Sequence, residues 1–226
     1  DAAKYKELSR KVADAYCSVL TDGSGKTKEE FQTAYVLPLY LNMFPENVKA
    51  KAAENLVKLV EKNDYKIGTG FPGTPYILFA LADNGHADTA YKMLLNTQCP
   101  SWLYEVRVGA TTVWERWDGL DENGECPIGD DGTDMMISYN HASGAVGAFL
   151  YRRVLGVEPT EAGYRKFKFA PVVGGGITEA EGTVGTPYGV IKAAWKIADG
   201  EMTMTVAVPV GTECTVVLPS GEEKVL

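Results

Sequence analysis

The feature that most constrains this chain is an alternation in the character of its predicted helices, followed by a change of periodicity near Pro159. The first predicted helix carries Tyr5, Leu8, Val12, Ala15, Tyr16 and Val19 on one stripe, with charged residues elsewhere. The second, over residues 31–41, is apolar nearly all round, and Pro38 should kink it. The third starts at Pro45 and is amphipathic again, with Val48, Ala52, Leu56, Leu59 and Val60 on one face. The fourth, over 74–82, is apolar on every side, and the fifth (Ala87, Ala90, Tyr91, Leu94, Leu95) is amphipathic. The sixth is expected over 140–155. A helix without a polar face must be covered on all sides, and amphipathic helices are suited to cover it. The pattern therefore predicts stacked helical hairpins, roughly 45 residues each, of the kind that form a solenoid or close into an α/α toroid.

Local signals predict where these helices begin and end. Thr27-Lys28-Glu29-Glu30 fits a capping box before the second helix, and Thr74-Pro75 reads as an N-cap followed by Pro at the first helical position. Gly85 suits the C-terminal cap of the fourth. After Pro159 apolar residues recur with period two: Phe167 and Phe169, then Ile191, Trp195 and Ile197, then Met202, Met204, Val206 and Val208, then Cys214, Val216 and Leu218. Asp199-Gly200 is a hairpin turn signal between two of these runs. The expected organisation is residues 1–157 as part of a helical toroid of about three hairpins, and residues 158–226 as a C-terminal antiparallel β-sandwich.

Connection lengths point to the functional face. Links leaving the apolar helices are short, whereas those entering them are long, above all 96–139. A segment of that length with no evident helix usually carries function or is disordered, and Trp102, Tyr104, Trp114, Trp117 and Tyr139 make disorder a poor reading. The active face is therefore expected at the N-termini of the inner helices.

Charge and cysteine content exclude several classes. The 22 Lys and Arg residues against 30 Asp and Glu give a net charge of −8, which repels phosphate backbones and anionic lipid. No stretch approaches the apolar length of a membrane span. Neither nucleic acid nor membrane is an expected partner. Four scattered cysteines (Cys17, Cys99, Cys126, Cys214) lack metal-ligand or redox spacing, and read as reduced thiols in a cytoplasmic setting. The chain begins Asp1-Ala2-Ala3, without Met or a signal-like segment, as expected of a piece whose true start is unseen, which leaves a periplasmic or secreted setting open.

The densest chemistry lies in Gly109-Ala110-Thr111-Thr112-Val113-Trp114-Glu115-Arg116-Trp117-Asp118-Gly119. A carboxylate between two indoles suits sugar chemistry: the indole packs on the C–H face of a pyranose while the carboxylate moves a proton. The alternative is an ion pair from Arg116 to an acid, stapling a packed loop. His141, after Ser138-Tyr139-Asn140, is either a donor to a sugar hydroxyl or a helix-terminal histidine of structural role. Gly68-Thr69-Gly70-Phe71-Pro72-Gly73-Thr74 allows close backbone approach to a ligand but lacks the Lys of a phosphate loop. The acids Asp118, Asp121, Glu122, Glu125, Asp130, Asp131 and Asp134 read as a solvated rim, without calcium-loop spacing, so no metal and no cofactor is expected.

Taken in order, Thr69-Gly70-Phe71, Gly73-Thr74-Pro75, Tyr91-Lys92-Met93-Leu94-Leu95, Pro100-Ser101-Trp102-Leu103-Tyr104, Ala110 through Gly119 and Ser138-Tyr139-Asn140-His141 resemble bacterial α-L-rhamnosidases of glycoside hydrolase family 78. The resemblance runs over essentially the whole chain, including Phe167 to Pro171. It implies an (α/α)6 toroid followed by a β-sandwich, and hydrolysis of terminal α-L-rhamnosides with inversion. It implies that Glu115 is the general base, that His141 contacts the sugar, and that Trp102, Trp114 and Trp117 line the pocket. The general acid and several sugar-binding residues would belong to an earlier part of the toroid, outside this chain, so that the chain alone would be nearly inactive.

Three other readings remain at this stage. One is a different α/α-toroid carbohydrate enzyme, although a lyase for acidic polysaccharides would want basic residues in place of the acidic rim. Another is a non-catalytic sugar-binding or interaction fragment. The third is a homo-oligomer in which half-rings pair to cover inner helices.

Overall fold

The computed structural model describes residues 1–126 and 141–226, the side chain of His141 excepted, as two compact units, Asp1–Ala145 and Val146–Leu226. The first holds α1 (Ala2–Leu20), α2 (Gln32–Tyr40), α3 (Glu46–Lys62), α4 (Ile77–Ala82), α5 (Ala87–Leu94), α6 (Trp102–Arg107) and α7 (His141–Gly144). No described helix is long and apolar enough to cross a membrane.

The alternation expected from the sequence is the packing order of this unit. In α4 Ile77, Leu78, Phe79, Ala80 and Leu81 are all buried, and in α2 Gln32, Tyr35, Val36, Pro38 and Leu39 are. These two inner helices pack on each other. The flanking helices bury one face only, α3 through Ala52, Ala53, Leu56 and Val60, and α5 through Thr89, Ala90, Tyr91, Met93 and Leu94. The stripe on α1 leaves Tyr5, Leu8, Val12 and Val19 exposed. Where the stripe does meet α2, Tyr16 donates its hydroxyl hydrogen to the Ala34 carbonyl at 2.6 Å. Pro38, four residues further on, has no N–H with which to serve that carbonyl.

Two of the helix starts differ from expectation. Thr27 is not an N-cap: it forms an isolated bridge with Thr21, its N–H donates to the Tyr35 hydroxyl at 3.0 Å, and its own hydroxyl donates to the Glu29 carbonyl. Helix α2 consequently starts at Gln32, beyond the expected box. Thr74 also spends its hydroxyl elsewhere, 2.9 Å from that of Thr69 and donating to the Gly70 carbonyl, so regular α4 begins at Ile77. The C-terminal end of α4 is as expected. Gly85 has φ +88°, its N–H reaches the Ala82 carbonyl, and the His86 N–H reaches that of Leu81.

The second unit opens with α8 (Val146–Phe149) and a π-helical turn, Leu150–Val154, in which the Leu155 N–H donates to the Leu150 carbonyl at 2.7 Å. The single helix expected over 140–155 is thus segmented, which suits a stretch containing Gly144 and Gly147, both poor helix formers. Seven strands follow: β1 (Val157–Pro159), β2 (Lys166–Phe169), β3 (Glu179–Thr186), β4 (Gly189–Ala198), β5 (Glu201–Ala207), β6 (Glu213–Val217) and β7 (Glu223–Val225). One sheet has the order β1-β2-β6-β7, the other β3-β4-β5. Phe167, Phe169, Cys214 and Val216 from the first pack with Ile191, Ala193 and Trp195 from the second in one buried cluster, so this unit is a sandwich. The Trp195 indole N–H is satisfied by the Val154 carbonyl at 2.8 Å.

The sandwich is mixed rather than purely antiparallel, because β2 and β6 pair in parallel, Phe167 opposite Cys214. The chain leaves β2, builds the whole second sheet, and returns to the edge of β2 running in the same direction. Asp199 and Gly200, with φ +54° and +80°, join β4 to β5 as the expected two-residue hairpin, Ala198 opposite Glu201.

Candidate active site

Helix α6 organises the candidate site, and nothing in the sequence periodicity announced it. Ser101 is its N-cap, accepting the Tyr104 N–H at 3.1 Å. Its other end is a Schellman turn: the Ala110 N–H donates to the Glu105 carbonyl at 2.9 Å, the Gly109 N–H to that of Val106, and Gly109 has φ +86°. That turn sends the chain into the Trp114-Glu115 segment.

Four side chains of this six-residue helix then hold the segment and its surroundings. The Trp102 ring meets the Trp117 ring edge to face, with centroids 5.7 Å apart and planes at 87°. The Tyr104 hydroxyl donates to the Leu120 carbonyl at 2.8 Å. A Glu105 carboxylate oxygen accepts the Trp114 N–H at 3.4 Å, and Arg107 bridges to Glu122 at 2.7 Å. The Trp102 indole N–H also donates to the Ser143 carbonyl at 2.9 Å, tying α6 to the short helix that His141 begins. Through Trp102, then, the Trp117 ring and the Ser143 carbonyl, two residues after His141, are brought to one place.

The individual side chains are placed as follows. Glu115 is exposed and Trp117 half-buried, whereas Trp102 and Trp114 are only 6% and 4% exposed. Arg116 pairs with Asp118 through two hydrogen bonds of 3.2 Å, and these hold the Asp118 carboxyl below the usual carboxylate range. The ion pair weighed as an alternative from the sequence is therefore made, with Asp118 as the acid. The His141 side chain lies outside the described residues, as do Ser138, Tyr139, Asn140 and the acids Asp130, Asp131 and Asp134. The Asp121 carboxylate is occupied by its own loop, accepting the N–H groups of Asn123 and Glu125 at 2.8 and 2.9 Å. Among the described residues no group of three or more His, Cys, Asp or Glu side chains is placed to hold a metal ion.

Two glycines of the loop before α4 serve packing. A Cβ on Gly68 would collide with the Gln32 side chain, and one on Gly73 with the Thr33 hydroxyl. The Gly68 N–H donates to Gln32 Oε1 at 2.7 Å, so at Gly68 the close approach is to the first turn of α2, whereas a Cβ on Gly70 would collide with nothing. The Ile67 N–H in turn reaches the Pro100 carbonyl at 3.0 Å, just ahead of α6. Polar contacts thus run from the N-terminus of α2, through the segment leading into α4, to α6 and α7, which is the end of the helices where the long connections were expected to gather.

Glu105 is the residue the sequence reading missed. It is 3% exposed, and burial pushes its carboxyl up to about 7 against an ordinary 4.5, the Trp114 N–H acting in the opposite direction. Its other oxygen, Oε1, has no hydrogen-bond partner among the described residues.

Comparison with known proteins agrees with this architecture. Residues 1–154 match the bacterial alpha-L-rhamnosidase 6 hairpin glycosidase domain, and residues 156–226 the bacterial alpha-L-rhamnosidase C-terminal domain. The alpha-L-rhamnosidase of Streptomyces avermitilis is 38% identical over 221 residues, which cover 97% of this chain and 21% of that protein. The crystal structure of the native Aspergillus terreus α-L-rhamnosidase superposes with a TM-score of 0.89 at 36% identity, covering 99% of this chain and 26% of that one. The Streptomyces avermitilis α-L-rhamnosidase complexed with L-rhamnose superposes with a TM-score of 0.87 at 37% identity, covering 97% and 21%. The chain spans about a fifth to a quarter of the length of these relatives. Two family models, one for the helical part and one for the sheets, match nearly every residue, and the chain belongs to the bacterial α-L-rhamnosidase family.

Proposed function

We propose that this chain contributes to hydrolysis of terminal α-L-rhamnosides with inversion, with Glu115 as the general base. The observation that carries the reading is the placement of Glu115: an exposed carboxylate next to buried Trp114, on a segment that α6 holds and that Trp102 links to the Ser143 carbonyl, in the short helix that His141 begins. The relatives named α-L-rhamnosidase, one of them complexed with L-rhamnose, support the substrate class.

In this mechanism Glu115 takes a proton from a water as its oxygen attacks the anomeric carbon from the face opposite the leaving group. A second carboxylic acid gives its proton to the departing glycosidic oxygen, about 6.5–9.5 Å from the first so that the water fits between them. We assign that acid to a part of the protein outside this chain, which leaves the isolated chain nearly inactive. Trp117, half-buried and packed against buried Trp102, offers indole surface to the apolar side of a 6-deoxy sugar, with Trp114 in the adjoining wall; His141 contacts a sugar hydroxyl.

The test is a panel of nitrophenyl glycosides given to a protein of the relatives' length carrying this chain, with Glu115→Gln alongside. Release from the α-L-rhamnoside, lowered about 100-fold or more in the variant, is the expected result. Undiminished turnover by Glu115→Gln removes Glu115 from the role, and cleavage of another glycoside in place of the rhamnoside removes the substrate.

A further inference from the structure

We infer that Glu105 is a positioning residue for Glu115, clipping both ends of the 110–114 segment so that the carboxylate following it is presented in one place. The inference rests on the reading of Glu115 as the base.

Two acceptors of one residue close this segment. The main-chain carbonyl of Glu105 accepts the Ala110 N–H at 2.9 Å, and its carboxyl Oε2 accepts the Trp114 N–H at 3.4 Å. A main-chain contact of the first kind is available to any residue at that position in a Schellman turn. The second needs an acceptor of this reach. Downstream of Glu115, Leu120 is held by the Tyr104 hydroxyl, so the stretch bearing Glu115 is fastened to α6 on both sides, and the Glu105 contact adjoins Glu115 directly in sequence.

Stability alone does not account for a carboxyl here. An apolar side chain in this buried position would avoid the desolvation that Glu105 incurs, and Oε1 gains no hydrogen bond among the described residues in return. What the carboxyl provides that an apolar side chain cannot is an acceptor for a buried N–H adjoining the proposed base. Displacing a catalytic group by about 1 Å can cost on the order of 100-fold in rate, so the anchoring of this one peptide is worth a buried polar group.

The experiment compares Glu105→Leu and Glu105→Gln in a protein of the relatives' length, with Glu115→Gln alongside, reading kcat, KM and the hydrogen exchange of the Trp114 amide. Leu removes the acceptor, whereas Gln keeps one. The expected result for Glu105→Leu is kcat lowered about 10-fold or more, KM within about 3-fold, and faster Trp114 exchange; Glu105→Gln restores all three. If the Leu variant does not fold, Glu105→Asp, one methylene too short to reach Trp114, should show the same loss of kcat. Equal kcat in Glu105→Leu and wild type while Glu115→Gln is inactive overturns the positioning role alone, as does an equal loss in the Leu and Gln variants. Full turnover by Glu115→Gln instead defeats the base assignment. The clip is then judged by exchange: acceleration at Trp114 in the Leu variant upholds it, and unchanged protection overturns it.

Discussion

Tyr16 donates its hydroxyl hydrogen, at 2.6 Å, to the carbonyl of Ala34, four residues before Pro38. Proline inside α2 is tolerable because a side chain from α1 takes the place of the N–H that Pro38 lacks. The same side chain is half-buried, and burial is the largest cause of the rise of its hydroxyl to about 12. Tyr16→Phe should therefore destabilise the helical unit by about 1 kcal/mol, and by less in a Pro38→Ala background, where an alanine N–H serves Ala34 instead. Urea unfolding of the four members of this cycle measures the coupling. Equal costs of Tyr16→Phe in both backgrounds would contradict the account.

The Glu105 carboxyl makes a separate prediction about pH. Its folded value of about 7 lies above the ordinary 4.5, so between these limits the folded state keeps a proton that the unfolded chain has released. Stability should fall as pH rises through that window and level off above it. The Cys99 thiol responds to Glu105 but is pushed up chiefly by burial, then by Asp118, with Lys66 opposing and Glu105 contributing least; it stays protonated across the window. Glu105→Gln should gain on the wild type by roughly 2–3 kcal/mol between pH 4.5 and pH 8. Parallel stability curves for the two proteins would show that Glu105 titrates normally.

Trp102 links α6 to α7 through the Ser143 carbonyl and to Trp117 through its ring. Trp102→Phe keeps an aromatic ring but removes the indole N–H, leaving that buried carbonyl without its donor. A loss of about 1–3 kcal/mol in denaturant unfolding is expected. A change below about 0.5 kcal/mol would mean that the link contributes nothing to stability.

In the sheet unit Gly156 has φ +90°, and a Cβ there would run into the backbone of Ala170 and Pro171. The obstacle is the Ala170–Pro171 backbone, with no flexible side-chain end to yield. Gly156→Ala should cost about 3 kcal/mol or more, seen as early melting of the β-sandwich by circular dichroism. Wild-type melting would require the 156 and 170 segments to part without loss of the Phe169 and Val157 packing.

Two signals carried through directly. Apolar residues on every side of 77–81 demand cover, and those residues are the buried inner helix; Asp199-Gly200 between period-two runs demands a tight hairpin, and forms one. Helix α6 was hidden because its six residues are too few to establish a period and its buried face contains Glu105, which reads as an exposed residue. Thr27 misled because its hydroxyl and N–H both find partners outside any helix, and those partners are made by folding. The parallel pairing of β2 with β6 depends on where the chain returns after a long excursion, which periodicity does not encode. Glu115 stands out in the sequence as a candidate between its two indoles, but Glu105, ten residues earlier, becomes visible only when the Schellman turn at Gly109 folds the chain back over it.

The most direct test of Glu115 as the base of an inverting hydrolysis is the anomeric form of the first product. Proton NMR of an α-L-rhamnoside digest, by a protein of the relatives' length carrying this chain, should show β-L-rhamnose growing first, before mutarotation, and neither anomer at a comparable rate with Glu115→Gln. First appearance of α-L-rhamnose, or undiminished release by the variant, would contradict the account.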